Sequence, residues 1–369
     1  MRYALIMAGG SGTRLWPMST RELPKQLIPF IDDAEHGPRS LLRIAMDRLE
    51  GLVPDQRIYV CAGEATRSVM LDRLPRLSED RFIAEPMGRD TLNAVGLSAA
   101  VLQQVDPEAV IAVFTADHLI EPVDAFQKVV ARGYELAERD DATLVTFGIE
   151  PTHAATGYGY LQLGETIGEE AFLVDQFKEK PDQATAERYH AAGPRQYLWN
   201  SGMFVWKAST VLAAIQKFTP GNYVKLAELG AAWGSPEYAT KLAAVYPTLE
   251  KISVDFAIME PASTDEAFTV AAAPMPLKWL DVGSWPSFMT TREPDEAGNV
   301  AAGGKSVLLD TQGTLAASDD PEHLIATIGC EDLVIIHTAK ATLVCRKQDA
   351  ERIKELHGMV GQQISEDYL

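Results

Sequence analysis

The stretch MAGGSGTRLWPMSTRELPKQLIPF (Met7–Phe30) follows a short apolar run, YALIMA, that indicates a buried strand ending at two glycines. The loop carries Arg14, Arg21 and Lys25, although the chain has a formal net charge of −19. Glycines let the backbone approach a ligand closely, and successive N–H groups form a concavity that binds anions. A tight strand-to-helix turn would explain the glycines but not the cluster of basic residues. We therefore predict a phosphate-binding loop.

Two better-known glycine-rich loops do not fit this stretch. A dinucleotide fingerprint needs glycine at position 15, where this sequence has Leu15, so a nicotinamide dehydrogenase is excluded. A Walker A loop needs a Gly-Lys pair, which the stretch lacks. The interpretation that remains is a turn whose N–H groups hold a triphosphate, with Arg14 and Lys25 supplying positive charge.

Composition limits the classes of partner. With 369 residues, 46% of them hydrophobic and 23% charged, the chain has the size and composition of about two globular domains. The excess of 52 acidic over 33 basic residues argues against broad nucleic-acid binding and against docking on an anionic membrane. Three widely spaced cysteines, no apolar run of about 20 residues and no signal peptide lead us to expect a cytoplasmic protein.

The order of the apolar runs predicts an α/β fold. Continuous apolar strands are predicted at 3–8, 57–62, 81–85, 109–116 and 142–149, with helical patterns at 40–52, 91–105 and 124–140 between them. This alternation is typical of a doubly wound, mostly parallel, Rossmann-like sheet, whose ligands lie at the carboxyl ends of the strands. A polar, breaker-rich segment begins near residue 291, so we predict one domain at 1–290 and a small β-rich domain at 291–369.

The stretch LIMAGGSGTRLWPMSTRELPKQLIPF resembles the signature of the sugar-phosphate nucleotidylyltransferases, and its Trp-Pro and PKQ variant resembles their mannose-1-phosphate guanylyltransferase group. The resemblance continues in order over residues 1–290. Its further motifs are EPMGRDT (85–91), TADHLI (115–120), TGYGYL (156–161), FKEKPD (177–182), WNSGMFVW (199–206), SVDFAIME (253–260) and WLDVGSW (279–285).

This resemblance implies an activity and a set of site residues. The implied reaction transfers GMP from GTP to α-D-mannose 1-phosphate by in-line attack on the α-phosphate with Mg²⁺, giving GDP-mannose and pyrophosphate, in a homodimer whose C-terminal module is β-helix-like or β-rich. Its implied residues are Arg14 and Lys25 for catalysis; Ala8, Gly9, Gly10, Ser11, Gly12, Thr13, Glu85, Arg89 and Thr91 for the nucleotide; Gly157, Glu179, Lys180 and Asn200 for the sugar phosphate; and Asp117 and Asp281 for the metal.

The residues themselves leave alternatives open. Asp117 ends an apolar strand, where a carboxylate is costly without a cation, but a lone aspartate there is often a turn or cap residue. On a strand, Glu179 and Lys180 would point to opposite faces, so one would meet a sugar hydroxyl and the other would reach the phosphate from a bend. We expect Asn200 to offer both a donor and an acceptor to hydroxyls, and we expect no chemistry from His118.

The base-binding motif departs from the family pattern. Asp90 stands where the family has asparagine, and Leu92 and Asn93 replace alanine and proline. Glu85 could accept hydrogen bonds from guanine, but Asp90 and Thr91 are equally explained as helix caps. Two alternative functions follow: the same chemistry on another pair of substrates, such as glucose or heptose 1-phosphate with another nucleoside triphosphate, or a non-catalytic subunit that binds nucleotide sugars.

Overall fold

The computed structural model describes residues 1–10, 12–29, 31–33, 37–168 and 170–369. Its strands are β1 (Arg2–Met7), β2 (Ile31–Asp33), β3 (Gly37–Arg39), β4 (Ile58–Gly63), β5 (Phe82–Glu85), β6 (Val110–Thr115), β7 (His118–Glu121), β8 (Thr143–Ile149), β9 (Tyr160–Thr166), β10 (Phe172–Lys178), β11 (Tyr197–Lys207), β12 (Thr269–Pro274), β13 (Lys278–Asp281), β14 (Val300–Ala302), β15 (Lys305–Leu309), β16 (Leu315–Ser318), β17 (Leu324–Ile328), β18 (Leu333–His337) and β19 (Thr342–Arg346). Its helices are α1 (Leu41–Asp47), α2 (Arg67–Arg73), α3 (Thr91–Val105), α4 (Val123–Arg139), α5 (Gln183–Ala192), α6 (Ala208–Phe218), α7 (Pro220–Ala231), α8 (Tyr238–Val245), α9 (Glu260–Ala262), α10 (Trp285–Met289) and α11 (Ile353–Gln363).

One nine-stranded sheet, in the order β5-β4-β1-β6-β11-β8-β12-β10-β9, forms the centre of the molecule. Strand β1 pairs in parallel with β4 and β6, and β4 pairs in parallel with β5. Strands β10 and β11 pair antiparallel with their neighbours in this sheet. The doubly wound, mostly parallel prediction is confirmed, and each of the five predicted strands forms.

Helices cover both faces of this sheet because its strands are apolar on both sides. On one face α4 buries Phe126, Val130 and Tyr134 against the sheet. On the other face α3 buries Leu97 and Val101 together with residues of α6 and α7. The parallel strands β1, β4, β5 and β6 therefore end at one shared edge. The first loop follows β1 there, Glu85 is the last residue of β5, and Asp117 lies just after β6. Among the described residues, no helix is long and apolar enough to cross a membrane.

The C-terminal residues form a β-rich domain built from stacked parallel strands. Strands β14, β16 and β18 pair in parallel, as do β15 and β17, while β19 closes one side against β18. This confirms the β-rich prediction for the end of the chain, and the boundary at 290/291 stays a prediction.

The C-terminal domain shares its apolar core with the first loop. The core joins Trp16 and Trp285 to Leu315 and Val334. The indole N–H of Trp285 donates to the carbonyl of Trp16 at 3.1 Å, and the indole N–H of Trp16 donates to the carbonyl of Tyr368 at 2.7 Å. The C-terminal domain therefore packs firmly against the first loop and stabilises it.

Gly230 lets α7 approach α3 closely. A Cβ at this position would lie 2.8 Å from the carbonyl oxygen of Ala100, and backbone cannot move aside as a flexible side chain can. We expect Gly230→Ala to lower the free energy of unfolding by about 1–3 kcal/mol, the usual cost of overpacking. Gly221→Ala on the same helix, where a Cβ meets nothing within 4 Å, should stay within about 1 kcal/mol of wild type. Urea denaturation of both variants checks this, and equal losses would contradict it.

Candidate functional site

The conformation of the first loop depends on two glycines and on a hydrogen bond between Gln26 and the loop backbone. Gly10 and Gly12 have φ values of +100° and +60°, which L-residues with side chains rarely adopt. The carbonyl of Gly9 accepts a hydrogen bond from Nε2 of Gln26 at 2.8 Å. Of the other predicted nucleotide-binding residues, Ala8 follows β1, Thr13 begins a 3₁₀ turn, and Ser11 lies outside the described residues.

The two predicted catalytic residues of this loop have different partners. Nζ of Lys25 lies 2.5 Å from Oδ2 of Asp117, and the lysine side chain is only 11% exposed. Arg14 is 45% exposed and pairs with Glu351 of the C-terminal domain at 3.1 Å. The charge of Arg14 also acts on Asp281, whose pKa it lowers against the larger effect of burial. Both cations therefore act on the carboxylates at the sheet edge.

Two short strands bring the carboxylates together. Asp117 follows β6, and β7 pairs antiparallel with β13 so that His118 stands opposite Asp281. Ligand atoms of Asp117, His118 and Asp281 all lie within 4.8 Å of one another. Nδ1 of His118 accepts a hydrogen bond from the indole of Trp279 at 3.1 Å, which fixes the orientation of the imidazole ring.

The two carboxylates of this cluster differ in how strongly positive charge stabilises their ionised form. Burial raises the pKa of Asp117, but the charge of Lys25 and its hydrogen bond outweigh burial and hold that pKa at about 2. Burial and the negative charge of Asp117 raise the pKa of Asp281. Burial lowers the pKa of His118, which favours its neutral form. The two adjacent carboxylates form a donor set that fits a divalent cation.

A cavity of about 140 Å³ opens beside this cluster. It is lined by three of the predicted sugar-site residues, Gly157, Glu179 and Asn200, and by Asp281 of the carboxylate cluster. Its remaining lining residues are His118, Tyr158, Gly159, Ser201, Gly202, Asp255 and Trp279. The tertiary structure thus brings three of the four predicted sugar residues and one of the two predicted metal residues to one cavity, while Lys180 and Asp117 do not line it.

Glu179 and Lys180 do not alternate across a strand as their spacing predicts. Strand β10 ends at Lys178. Lys180 has a φ of +43°, in the left-handed region that residues with a side chain rarely adopt. The bend places Nζ of Lys180 2.9 Å from Oε1 of Glu179, which is buried. The expectation of opposite faces is wrong because the strand stops one residue before the pair.

The predicted base-binding residues lie at the end of β5. Glu85 is buried, and its Oε1 accepts a short hydrogen bond from the hydroxyl of Tyr246. Burial raises the pKa of Glu85, and the hydrogen bond from Tyr246 acts in the opposite direction. A Cβ on Gly9 would lie 3.3 Å from Oε2 of Glu85, so this carboxyl adjoins the first loop.

Arg89 and Thr91 both have partners within the protein. Arg89 donates to the carbonyl of Pro247, and Oγ1 of Thr91 accepts from the backbone N–H of Val254 at 2.9 Å. Asp90 caps α3 by accepting from the N–H of Thr91 at 2.8 Å. The capping alternative therefore accounts for Asp90, and nucleotide binding by Arg89 and Thr91 stays a prediction.

Sequence reasoning missed four residues of the site. Gln26 and Asp255 lie inside motifs that it singled out, PKQ and SVDFAIME, but neither was assigned a role. Trp279 begins another such motif, WLDVGSW. Tyr246 carries no local signal, since only the fold brings it to Glu85, 161 positions away.

Comparison with known proteins identifies relatives along almost the whole chain. The nucleotidyl transferase family model matches residues 3–297, and the model of the MannoseP isomerase/GMP-like beta-helix domain matches residues 304–359. A mannose-1-phosphate guanylyltransferase of Salmonella typhimurium is 35% identical over 95% of this chain and 71% of its own length. One from Klebsiella pneumoniae is 34% identical over 96% of this chain and 73% of its own length.

A solved structure agrees with the sequence relatives. The crystal structure of a protein from Thermus thermophilus, described as a mannose-1-phosphate geranyltransferase, superimposes with a TM-score of 0.84 at 31% identity. The match covers 97% of this chain and 99% of that one. Both domains of the fold are therefore shared with this relative.

Gly12 offers a direct test of the loop geometry. A Cβ there would lie 2.9 Å from Cβ of Lys25 and would also require the positive φ, whereas a Cβ on Gly10 meets nothing within 4 Å. We expect Gly12→Ala to lower the free energy of unfolding by about 1–3 kcal/mol more than Gly10→Ala, because both strain the backbone but only Gly12→Ala crowds Lys25. Urea denaturation of the two variants measures the difference. Equal stability of the pair would contradict the close contact.

Proposed function

The chain belongs to the nucleotidyl transferase family, and from that premise we propose that this nucleotidyltransferase transfers GMP from GTP to α-D-mannose 1-phosphate. The products are GDP-mannose and pyrophosphate. The observation that carries the proposal is the position of Lys25, which touches the glycine loop at Gly12 and pairs with Asp117 beside the cavity. The relatives with this activity in their names support the choice of substrates.

The proposed reaction is an in-line displacement. A phosphate oxygen of the sugar 1-phosphate attacks the α-phosphorus of GTP, the bond from that phosphorus to the bridging oxygen breaks, and pyrophosphate leaves. Such transfers need positioning and charge stabilisation more than covalent catalysis. The loop N–H groups orient the phosphates, while Arg14 and Lys25 offset the negative charge that accumulates in the transition state.

We assign Asp117 and Asp281 to a Mg²⁺ ion, because their oxygens are the ligands that this ion prefers. When held by these residues, Mg²⁺ would supply positive charge that stabilises the phosphates. The raised pKa of Asp281 supports the assignment, since a buried carboxyl beside Asp117 gains most from a further cation.

We place guanine at Glu85. The hydroxyl of Tyr246 occupies Oε1, and Oε2 faces the loop where the nucleotide would lie. A carboxylate can accept from the N1–H and the exocyclic amine of guanine, which adenine and the pyrimidines do not match. We also place the reaction in the cytoplasm, where nucleoside triphosphates are available.

The decisive experiment measures pyrophosphate release from GTP, ATP, UTP and dTTP with mannose, glucose and heptose 1-phosphates, with Mg²⁺ and with a chelator. Release confined to GTP, mannose 1-phosphate and Mg²⁺ is the expected result. Turnover of another pair would keep the nucleotidyltransferase chemistry but move its specificity. No turnover, with nucleotide binding intact, would favour the non-catalytic subunit.

Lys25 should be essential to turnover. We expect Lys25→Met to reduce kcat by about 10² or more, the loss typical of one electrostatic donor in an active site. Lys278→Met is the matched control, because Lys278 lies on β13 near the site but is 58% exposed and pairs with Glu121 at the surface. Steady-state kinetics of both variants decides the question, and an unchanged rate in Lys25→Met would remove Lys25 from the mechanism.

We further propose that the protein forms a homodimer through the outer face of β15 and β17. This face places Val307 beside Ala326 and Leu309 beside Ile328, and Ile328 is 74% exposed. Contiguous apolar side chains at a surface mark an interaction site. We favour a second copy of the chain as the occupant, because a two-fold axis would pair this face with itself. Two chains of net charge −19 each also associate best through a surface where acidic groups are few.

Ile328→Glu should convert the dimer to a monomer, because it places a charge within the apolar face. The control is Val224→Glu, which changes an apolar side chain of similar exposure, 65%, on α7. Mass measurement by light scattering should give a dimer for wild type and for Val224→Glu. A monomeric wild type, or a dimeric Ile328→Glu variant, would overturn this interface.

A further inference from the structure

Asp255 lines the cavity, but the sugar-site prediction gave this residue no role. It begins a single π-helical turn, Asp255–Met259, that leads into α9. Such turns are rare and frequently lie at functional sites. Asp255 lines the same cavity as Glu179 and Asn200, so a ligand in that cavity would face all three side chains.

Asn200 is largely occupied by the protein. Its Oδ1 accepts from the hydroxyl of Thr146 at 2.7 Å and from the backbone N–H of Gly202 at 3.2 Å. Its Nδ2 donates to Oδ1 of Asp255 at 2.9 Å. An amide side chain has two acceptor sites and two N–H donors, so only one N–H remains for a ligand. The main effect of Asn200 is to fix the carboxyl of Asp255.

The carboxyls of Glu179 and Asp255 have different electrostatic surroundings. Lys180 pairs with Glu179 at 2.9 Å, which balances the charge of Glu179. Burial and the negative charge of Glu179 raise the pKa of Asp255 to about 7, although Lys180 and Asn200 favour its ionised form. Near neutral pH, Asp255 therefore carries a proton for part of the time. The other titratable groups on the cavity wall are His118, Tyr158 and Asp281.

We propose that Asp255 is a hydroxyl-binding residue for the sugar ring, acting with Glu179 across the cavity, and that Asn200 is the positioning residue that holds its carboxyl. A sugar hydroxyl both donates and accepts hydrogen bonds, so a pair with one donor and several acceptors matches neighbouring hydroxyls better than two ionised carboxylates. This inference rests on the proposed function, since the ligand it assigns is the sugar 1-phosphate.

The test compares Asp255→Ala and Asp255→Asn with Asp265→Asn in the whole chain. Asp265 is a carboxylate outside the cavity that pairs with Lys217 on the surface. We expect Asp255→Ala, which removes every hydrogen-bonding atom of this side chain, to raise the KM for the sugar 1-phosphate by about tenfold or more, with the KM for GTP unchanged. Asp255→Asn keeps a donor and an acceptor and should raise that KM less. Asp265→Asn should leave both KM values at the wild-type level.

The pH profile separates a binding role from a structural one. In wild type, kcat/KM for the sugar 1-phosphate should fall as pH rises through about 7, because the proton on Asp255 is lost. In Asp255→Asn this limb should disappear, since an amide does not titrate.

Thermal melting shows whether the variant folds. A carboxyl whose pKa is raised by folding stabilises the fold at low pH, and this contribution is lost as pH rises through about 7. Asp255→Asn should therefore melt above wild type at about pH 8, and the difference should be smallest at about pH 3, below the ordinary pKa of 3.8.

The outcomes distinguish this inference from the function on which it rests. An active wild type, with an unchanged sugar KM in Asp255→Ala and an unchanged pH profile in Asp255→Asn, would overturn the role of Asp255 alone. Equal rises in the KM for GTP and for sugar would also overturn it, because they indicate general damage to the site. A wild type that turns over no sugar 1-phosphate would overturn both proposals. If wild type uses another sugar 1-phosphate, the same comparison with that substrate decides the role of Asp255.

Discussion

The ion pair between Lys25 and Asp117 is the contact on which the site depends. It joins the first loop to the edge of the central sheet through two side chains that are only 11% and 23% exposed. A buried carboxylate is costly unless a cation meets it, and Lys25 meets Asp117 but leaves the neighbouring Asp281 with a raised pKa. The remaining negative charge is what suits the cluster to a metal ion.

Charged side chains lie where the strands of the central sheet end, and two of them belong to residues with a strained backbone conformation. Asp90 and Lys180 both have positive φ values, which cost conformational energy in residues with side chains. At Lys180 the result is a charge-balanced Glu179 inside the cavity. Burial likewise raises the pKa values of Glu85 and Asp255. Two of the four non-glycine residues that have positive φ in the described part of the chain therefore lie near the proposed substrates, and the apolar cores on both faces of the sheet offset the cost.

The C-terminal domain contributes to the same site from the far end of the chain. Glu351 meets Arg14 across 337 sequence positions, and Trp16 is held between Trp285 and the backbone of Tyr368. The loop that carries the predicted phosphate-binding residues is therefore clamped between two domains. Such a clamp gives a glycine-rich backbone the fixed geometry that positioning of phosphates requires.

The sequence by itself determined the glycine loop and five strands of the central sheet, because apolar runs are local. The grouping of Lys25, Asp117 and Asp281 was implied by collinear motifs that resemble those of a known family. The roles of the individual site residues remain predictions. Only the tertiary structure decided that Asn200 binds Asp255, that Tyr246 donates to Glu85 and that Lys180 turns toward Glu179. These contacts depend on backbone bends and on segments far apart in sequence, and no local pattern of residues encodes such distances.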